Sequence, residues 1–254
     1  MYRVARTLAS TVVAAAALVA PHQRAFAQLD TTHTWRFNIT PYLWLAELNG
    51  RVGVGPVASS VSLSSSDILD NLKFGAMATA EARYGPWLIA ADGMYVLLGA
   101  GRAFGFRGDT GSLSLNQSQT TIQPMGGYTF GDGDWAVDVL GSMRIWKLSA
   151  ALAVNSNTRP PDSHSAARTW VDATPGFRFR WKPLDDVRFV FYADGGLGGS
   201  QNTWQIYSSL GYDFWKGLSV GISYRELAVD YDRNNFLYDT TMQGLLFGLA
   251  YRFP

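Results

Sequence analysis

The run GFRFRW at 176–181 puts Phe177, Phe179 and Trp181 on one side of the chain and Arg178 and Arg180 on the other. A period of two fits an extended strand, whose successive side chains point to opposite faces. The same alternation recurs along most of the chain. Over 169–181, Val171 and Ala173 share the side of Phe177 and Phe179, while Asp172 and Thr174 share that of the arginines. Over 135–145, Val137, Val139, Met143 and Ile145 oppose Asp138, Ser142 and Arg144. Segment 73–84 sets Glu81 and Arg83 against Ala78, Ala80 and Ala82, and 187–194 sets Phe189 and Phe191 against Arg188 and Asp194. Segment 204–214 sets Ile206, Leu210 and Phe214 against Gln205 and Asp213. Large aromatics on one face and guanidiniums on the other predict a strand between lipid and a polar interior. Backbone groups in hydrocarbon must all be paired, so such a sheet has to close on itself.

Composition agrees with export to a membrane. Only 16% of the 254 residues are charged, below the quarter usual for a soluble domain, and 47% are hydrophobic. There is no cysteine, which excludes disulfides and thiolate metal sites, and His22, His33 and His164 are the whole histidine supply. Arg3 and Arg6, an apolar stretch at 8–20 and the Ala25-Phe26-Ala27 cleavage signature predict a secretory signal peptide over 1–27, leaving a mature chain of 28–254. Removing Arg3, Arg6 and Arg24 from the 21 basic residues leaves 18 against 20 acidic ones, a charge near −2. That balance excludes nucleic acid as a partner. No later apolar run reaches the length of a helical span.

Turn signals divide the strands. Gly85-Pro86, 131–134, 182–186 and 215–217 read as tight turns, and 106–111, 155–162, 195–202 and 232–237 as looser polar loops. Trp87, Trp135, Trp181 and Trp215 stand beside the tight turns, where amphipathic rings would form a girdle at headgroup level. Eleven strand candidates result: 35–48, 51–63, 73–84, 87–105, 112–130, 135–154, 163–181, 187–194, 203–214, 218–231 and 238–253. Bacterial single-chain barrels have even strand numbers. Ten strands follow if 51–63 belongs to an entrance hairpin, and twelve if a long segment is split; twelve is preferred. A short helix is expected over 66–72, capped by Ser65 or Ser66, with Ile68, Leu69 and Leu72 on one side. The fold class is all-β: a transmembrane antiparallel up-and-down β-barrel of about 10–12 strands.

The order of several motifs adds a resemblance. PYLW at 41–44, LNGRVGVG at 48–55, SDILDNL at 66–72, EAR at 81–83, then Trp87, Asp92, Tyr95 and YDTTMQGLLFGLAYRF at 238–253 resemble a large, mostly uncharacterised family of bacterial outer-membrane β-barrel proteins. The last strand, 248–253, resembles the C-terminal signal of such barrels, with Pro254 as a departure after Phe253. The resemblance implies fold and an outer-membrane location, and no particular activity.

The strand parity nominates a lumen-facing set of charges: Glu81, Arg83, Asp92, Asp138, Arg144, Asp172, Arg178, Arg180, Arg188, Asp194 and Arg225, with Arg36, Arg168 and Arg252. They could line a solute path as selectivity rings do, or pair with one another and fill the barrel. The paired network is the preferred reading. Ser163-His164-Ser165 after Asp162 evokes Ser–His chemistry, but adjacent strand residues point apart and the acid–base–nucleophile geometry is not met. The acidic run 230–235 lacks the glycine and glutamate of a calcium loop, and the glycines of 195–199 precede no helix that could bind phosphate, so they read as a flexible connection. No catalytic, metal or cofactor site is expected. The expectation is a non-enzymatic, monomeric outer-membrane barrel, either a narrow porin-like channel for small solutes or a structural or surface barrel with a charge-filled lumen. Its expected partners are outer-membrane lipid and the barrel-assembly machinery. A lipid-modifying enzyme and a soluble exported lipocalin-like binder are the alternatives.

Overall fold

The computed structural model describes residues 34–54, 57–106, 109–131, 133–156 and 162–253; the expected signal peptide lies outside them. The elements are β1 (Trp35–Val54), β2 (Val57–Leu63), α1 (Ser65–Asp70), β3 (Leu72–Tyr84), β4 (Trp87–Phe106), β5 (Asp109–Phe130) and β6 (Trp135–Ser156). After them come β7 (Asp162–Ala173), β8 (Gly176–Leu184), β9 (Val187–Gly198), β10 (Asn202–Trp215), β11 (Leu218–Arg233) and β12 (Phe236–Arg252). Neighbours in sequence pair antiparallel around the sheet, and β1 closes it on β12 with Leu43 opposite Phe247. Among the described residues no helix is long and apolar enough to cross a membrane.

The closed wall has ten staves, not the preferred twelve. β2 pairs with β1 alone and forms an entrance hairpin, because β1 runs unbroken to Val54 instead of stopping at residue 48. β7 and β8 are two halves of one stave. Both lie against β6, Asp172 opposite Arg144 and Arg178 opposite Asp138, and the break falls at Thr174-Pro175. Proline has no N–H to give a ladder, so an interruption there is the expected response.

Parity places the faces as the alternation requires. Phe37, Ile89, Val139, Phe177, Leu210 and Phe247 are exposed on the outer face, with no second layer of protein over them. Arg144, Asp138, Thr203 and Gln123 are buried inside. Aromatic contacts ring the outer face at the tight-turn end: Trp87 meets Tyr128 edge-on at 5.0 Å and Trp35 meets Tyr84 at 5.2 Å.

Three local features differ from the sequence reading. The helix begins one residue earlier, at Ser65, because Ser64 is the N-cap: its hydroxyl accepts the Asp67 N–H while the Asp67 carboxylate accepts the Ser64 N–H. The expected loose loop at 232–237 is a two-residue turn, with Asn234 and Asn235 at φ 55° and 58°. Asparagine tolerates that left-handed region, so β11 and β12 continue almost to the tip. The glycines of 195–199 are no flexible connection. A Cβ on Gly196 would fall 1.7 Å from the Ala173 carbonyl oxygen, so glycine there lets β9 press against β7 at the break in the stave.

Candidate functional site

The lumen is built in layers that follow the strands away from the tight turns. At that mouth Asp213 accepts Arg188 and, at 2.8 Å, Arg252, and also takes the Ser219 hydroxyl. Arg36 stands on the same inward parity, exposed, opposite Arg83 in the β1–β3 register.

The next layer gathers three arginines on one carboxylate. Asp138, fully buried, accepts Arg83 Nη2 at 2.9 Å, Arg178 Nε at 2.8 Å and Arg180 Nη2 at 3.0 Å, with the Thr129 hydroxyl at 2.7 Å. Glu81 ties the group together, accepting Arg83 Nε at 2.5 Å and Arg178 Nη2 at 2.6 Å. The spacing comes from parity: Glu81 and Arg83 are two apart on β3, and Arg178 and Arg180 are two apart on β8.

Deeper lie two further knots. Asp92 accepts Arg225 Nη1 at 3.2 Å, the Tyr42 hydroxyl at 2.9 Å and the Thr79 hydroxyl at 2.8 Å, while Arg225 Nε donates to Gln205 at 2.7 Å. Arg144 donates Nη2 to both oxygens of Asp194 and Nη1 to the Thr203 hydroxyl at 2.9 Å. Asp194 also accepts the Tyr192 hydroxyl at 2.5 Å and the Gln123 amide at 2.8 Å. A buried charge is tolerable only when paired and hydrogen-bonded, and each charge here is paired, with the Nε–H of Arg144 the donor left without a partner.

Above the charges the interior departs from the expected polar lumen. Arg225 lies over the Trp44 ring at 5.0 Å, and beyond it Met94, Trp146, Trp170, Leu227, Tyr231, Tyr238 and Met242 form one buried cluster. Trp146 stacks on Trp170 at 5.7 Å, and Trp170 meets Tyr231 at 4.2 Å. All sit at inward parity, so the alternation gave their direction; nothing in a period-two pattern says that the inner face changes from ionic to aromatic along the axis.

Two of the predicted lumen charges stand outside the ionic networks. Arg168 lies at the far end, its guanidinium 5.6 Å over Phe236 and donating to the Ala167 and Asn234 carbonyls. Asp172 is buried, yet its Oδ1 takes the Ser200 backbone N–H at 2.8 Å and its Oδ2 has no hydrogen-bond partner. Its work is to hold the turn between β9 and β10. Missing from the sequence reading were the uncharged partners Tyr42, Gln123, Thr129, Tyr192 and Thr203, and Asp213 as an acceptor. Their inward parity was legible, but neutral side chains gave no reason to select them.

The carboxylates of the ionic knots are each engaged by guanidiniums. Ser163 and Ser165 are exposed on the outer parity of β7, and the side chain of His164 lies outside the described residues, as do His22 and His33. Among the described residues no group of three His, Cys, Asp or Glu side chains could hold a metal ion. Among the described residues, two cavities bear on the lumen. One of about 290 Å³ lies among the arginines on the tight-turn side, bounded by Glu81, Asp92, Arg178, Arg188, Arg225 and Arg252. The other, of about 170 Å³, is apolar and lies beside Trp44 and Met94.

No protein-family model matches the chain, and neither does any curated protein sequence. Solved structures do match. The outer-membrane protease OmpT of Escherichia coli superposes with a TM-score of 0.55 at 10% identity, over 91% of this chain and 99% of that one. The translocator domain of the autotransporter NalP of Neisseria meningitidis gives 0.45 at 15% identity, over 89% and 91%. The attachment invasion locus protein Ail of Yersinia pestis gives 0.34 at 15% identity, over 86% and 98%. At such identities the likeness is one of fold alone. The closed ten-stave antiparallel wall, apolar outside and ionic within, is the fold of bacterial outer-membrane β-barrels.

Proposed function

We propose that the chain is a non-enzymatic, monomeric barrel of the bacterial outer membrane, structural or surface-exposed, whose lumen is closed and not a conduit for solutes. The observation that carries this reading is the Arg144–Asp194 knot, with both side chains fully buried. Residues of β5, β6, β9 and β10 join there, and the Trp146–Trp170 stack lies directly beyond the knot. Arg225 of β11 reaches Asp92 of β4, and Arg178 of β8 reaches Glu81 of β3, each between staves four apart in the wall. A ten-strand wall is only slightly wider than the eight-strand barrel that side chains fill completely. Seven inward arginines need not mark an ion path when Asp138, Glu81, Asp92, Asp194 and Asp213 hold them.

The outer apolar belt, uncovered by protein, supports residence in a bilayer, and the outer-membrane fold supports which bilayer. Insertion would then follow cleavage of the signal peptide and engagement of the assembly machinery by β12. Ser163 and Ser165 alternate with position 164 along β7, and adjacent strand residues point apart, which supports the non-enzymatic reading over Ser–His lipid modification. Planar-bilayer recording of the purified, folded protein decides between closed and open: a silent bilayer is expected, and reproducible discrete conductance steps would restore the porin-like channel.

A further inference from the structure

The wall has one place where two neighbouring staves part. Pairing of β1 with β3 ends at Pro41 opposite Ala78, and β1 regains a partner on that edge only at Leu48, opposite Leu63 of β2. Residues 42–47 of β1 and 72–77 of β3 therefore face each other without a ladder. β1 stays paired with β12 throughout this stretch, Trp44 opposite Leu246 and Ala46 opposite Gly244, so the parting belongs to the β1–β3 side alone. The α1 helix lies between the end of β2 and the start of β3, and its Ile68 packs against the lumenal cluster.

The apolar cavity runs through this gap. Met94, Trp44 and Met242 bound it on the lumenal side, Gly75 and Met77 at the parted edge, and Leu43 and Leu69 at its outer rim. Leu43, 48% exposed, continues the apolar outer face of the barrel, and Leu69 of α1 is 44% exposed. Among the polar side chains at its wall, Tyr238 donates to Gln119 at 3.0 Å and Tyr42 gives its hydroxyl to Asp92, while the buried indole N–H of Trp44 has no hydrogen-bond partner. The volume of about 170 Å³ resembles that of dry apolar cavities of about 150 Å³ that accept a benzene-sized guest. On the tight-turn side, the Arg225–Trp44 contact separates it from the ionic layers.

We propose that the β1–β3 gap is a lateral portal through which the alkyl chain of a bilayer lipid enters the cavity; this rests on the outer-membrane reading. The medium touching Leu43 in that setting is hydrocarbon, and an alkyl segment fills an apolar cavity without desolvating a polar group. Glycine at position 75 keeps the doorway open. A Cβ there would meet only Leu72 Cδ1 and Cδ2, at 3.7 and 3.8 Å, so a larger side chain has room to grow into the cavity without straining the wall.

The absence of native cysteine makes the test clean. Met94→Cys places one thiol at the inner end of the cavity, in protein reconstituted into phosphatidylcholine vesicles. A long-chain N-alkyl maleimide dissolved in the bilayer should label it, and a sulfonated maleimide in the water should not. Adding Gly75→Leu or Ala46→Leu should abolish the labelling, while Ala80→Leu, on the exposed outer face of β3, should leave it intact. Val96→Cys gives a second reporter in the same cavity if Met94→Cys folds poorly. Labelling by the water-borne reagent, labelling by neither, or labelling indifferent to Gly75→Leu would each overturn the portal. Failure of the parent chain to show heat-modifiable gel migration and vesicle association would overturn the outer-membrane reading instead.

Discussion

Arg144 Nη2 reaches both carboxylate oxygens of Asp194, at 2.7 and 2.6 Å, although the strand register sets Asp172 directly beside it. The arginine passes over its neighbour on β7 and binds the next stave, β9. Removing one partner of a buried pair leaves an uncompensated charge. Asp194→Ala or Arg144→Ala is expected to cost about 3–5 kcal/mol, whereas Arg144→Met with Asp194→Leu should cost well under the sum of the single changes. Urea unfolding in vesicles, followed by gel migration, measures both.

Asp138 and Arg180 are bonded to each other but unequally committed. Asp138 is fully buried beneath three guanidiniums, and the Arg180 side chain keeps 34% of its exposure. Asp138→Ala would leave Arg83 and Arg178 crowded around a lost acceptor, an expected loss of at least about 3 kcal/mol. Arg180→Ala can be answered by water, and about 1 kcal/mol or less is expected. Equal losses in the same unfolding assay would contradict the layered network.

The Asp67 carboxyl is held below its ordinary value of 3.8 by the Ser64 hydroxyl and, less strongly, by the Ser64 backbone N–H. A lowered folded value means that the carboxylate contributes to α1 at pH above the ordinary value and ceases to contribute as pH falls through the lower one. Amide-exchange protection of α1 should therefore be steady at neutral pH and fall on acidification below about 4. Ser64→Ala should lower that protection at neutral pH by about 0.5–2 kcal/mol and flatten its pH dependence. Unchanged protection in Ser64→Ala would show that the cap does not hold the helix.

Asn234 and Asn235, both left-handed, form the β11–β12 turn. Asn235→Gly should leave stability unchanged or raised, while Asn234→Val should cost about 1–2 kcal/mol, since a branched side chain clashes in that conformation. Thermal gel-shift midpoints of the two variants give the comparison. A loss on Asn235→Gly would mean that the asparagine side chain, and not its backbone tolerance, sets the turn.

What the sequence determined by itself is direction. Two-residue alternation assigned Phe177 and Phe179 outward and Arg178 and Arg180 inward, because a strand admits no other arrangement of consecutive side chains. The tight turns and their tryptophans were legible for the same local reason. Partnership was not legible. Asp138 collects arginines from β3 and β8, and Tyr42 meets Arg225 at 183 residues' separation, because barrel closure and strand stagger bring distant segments to one axial level. Nor could periodicity show that β1 would part from β3 after Pro41, or that 163–181 would be one stave broken at Thr174-Pro175. Each strand codes for its own two faces; which strand stands across the lumen, and at what height, is fixed only when the sheet meets itself.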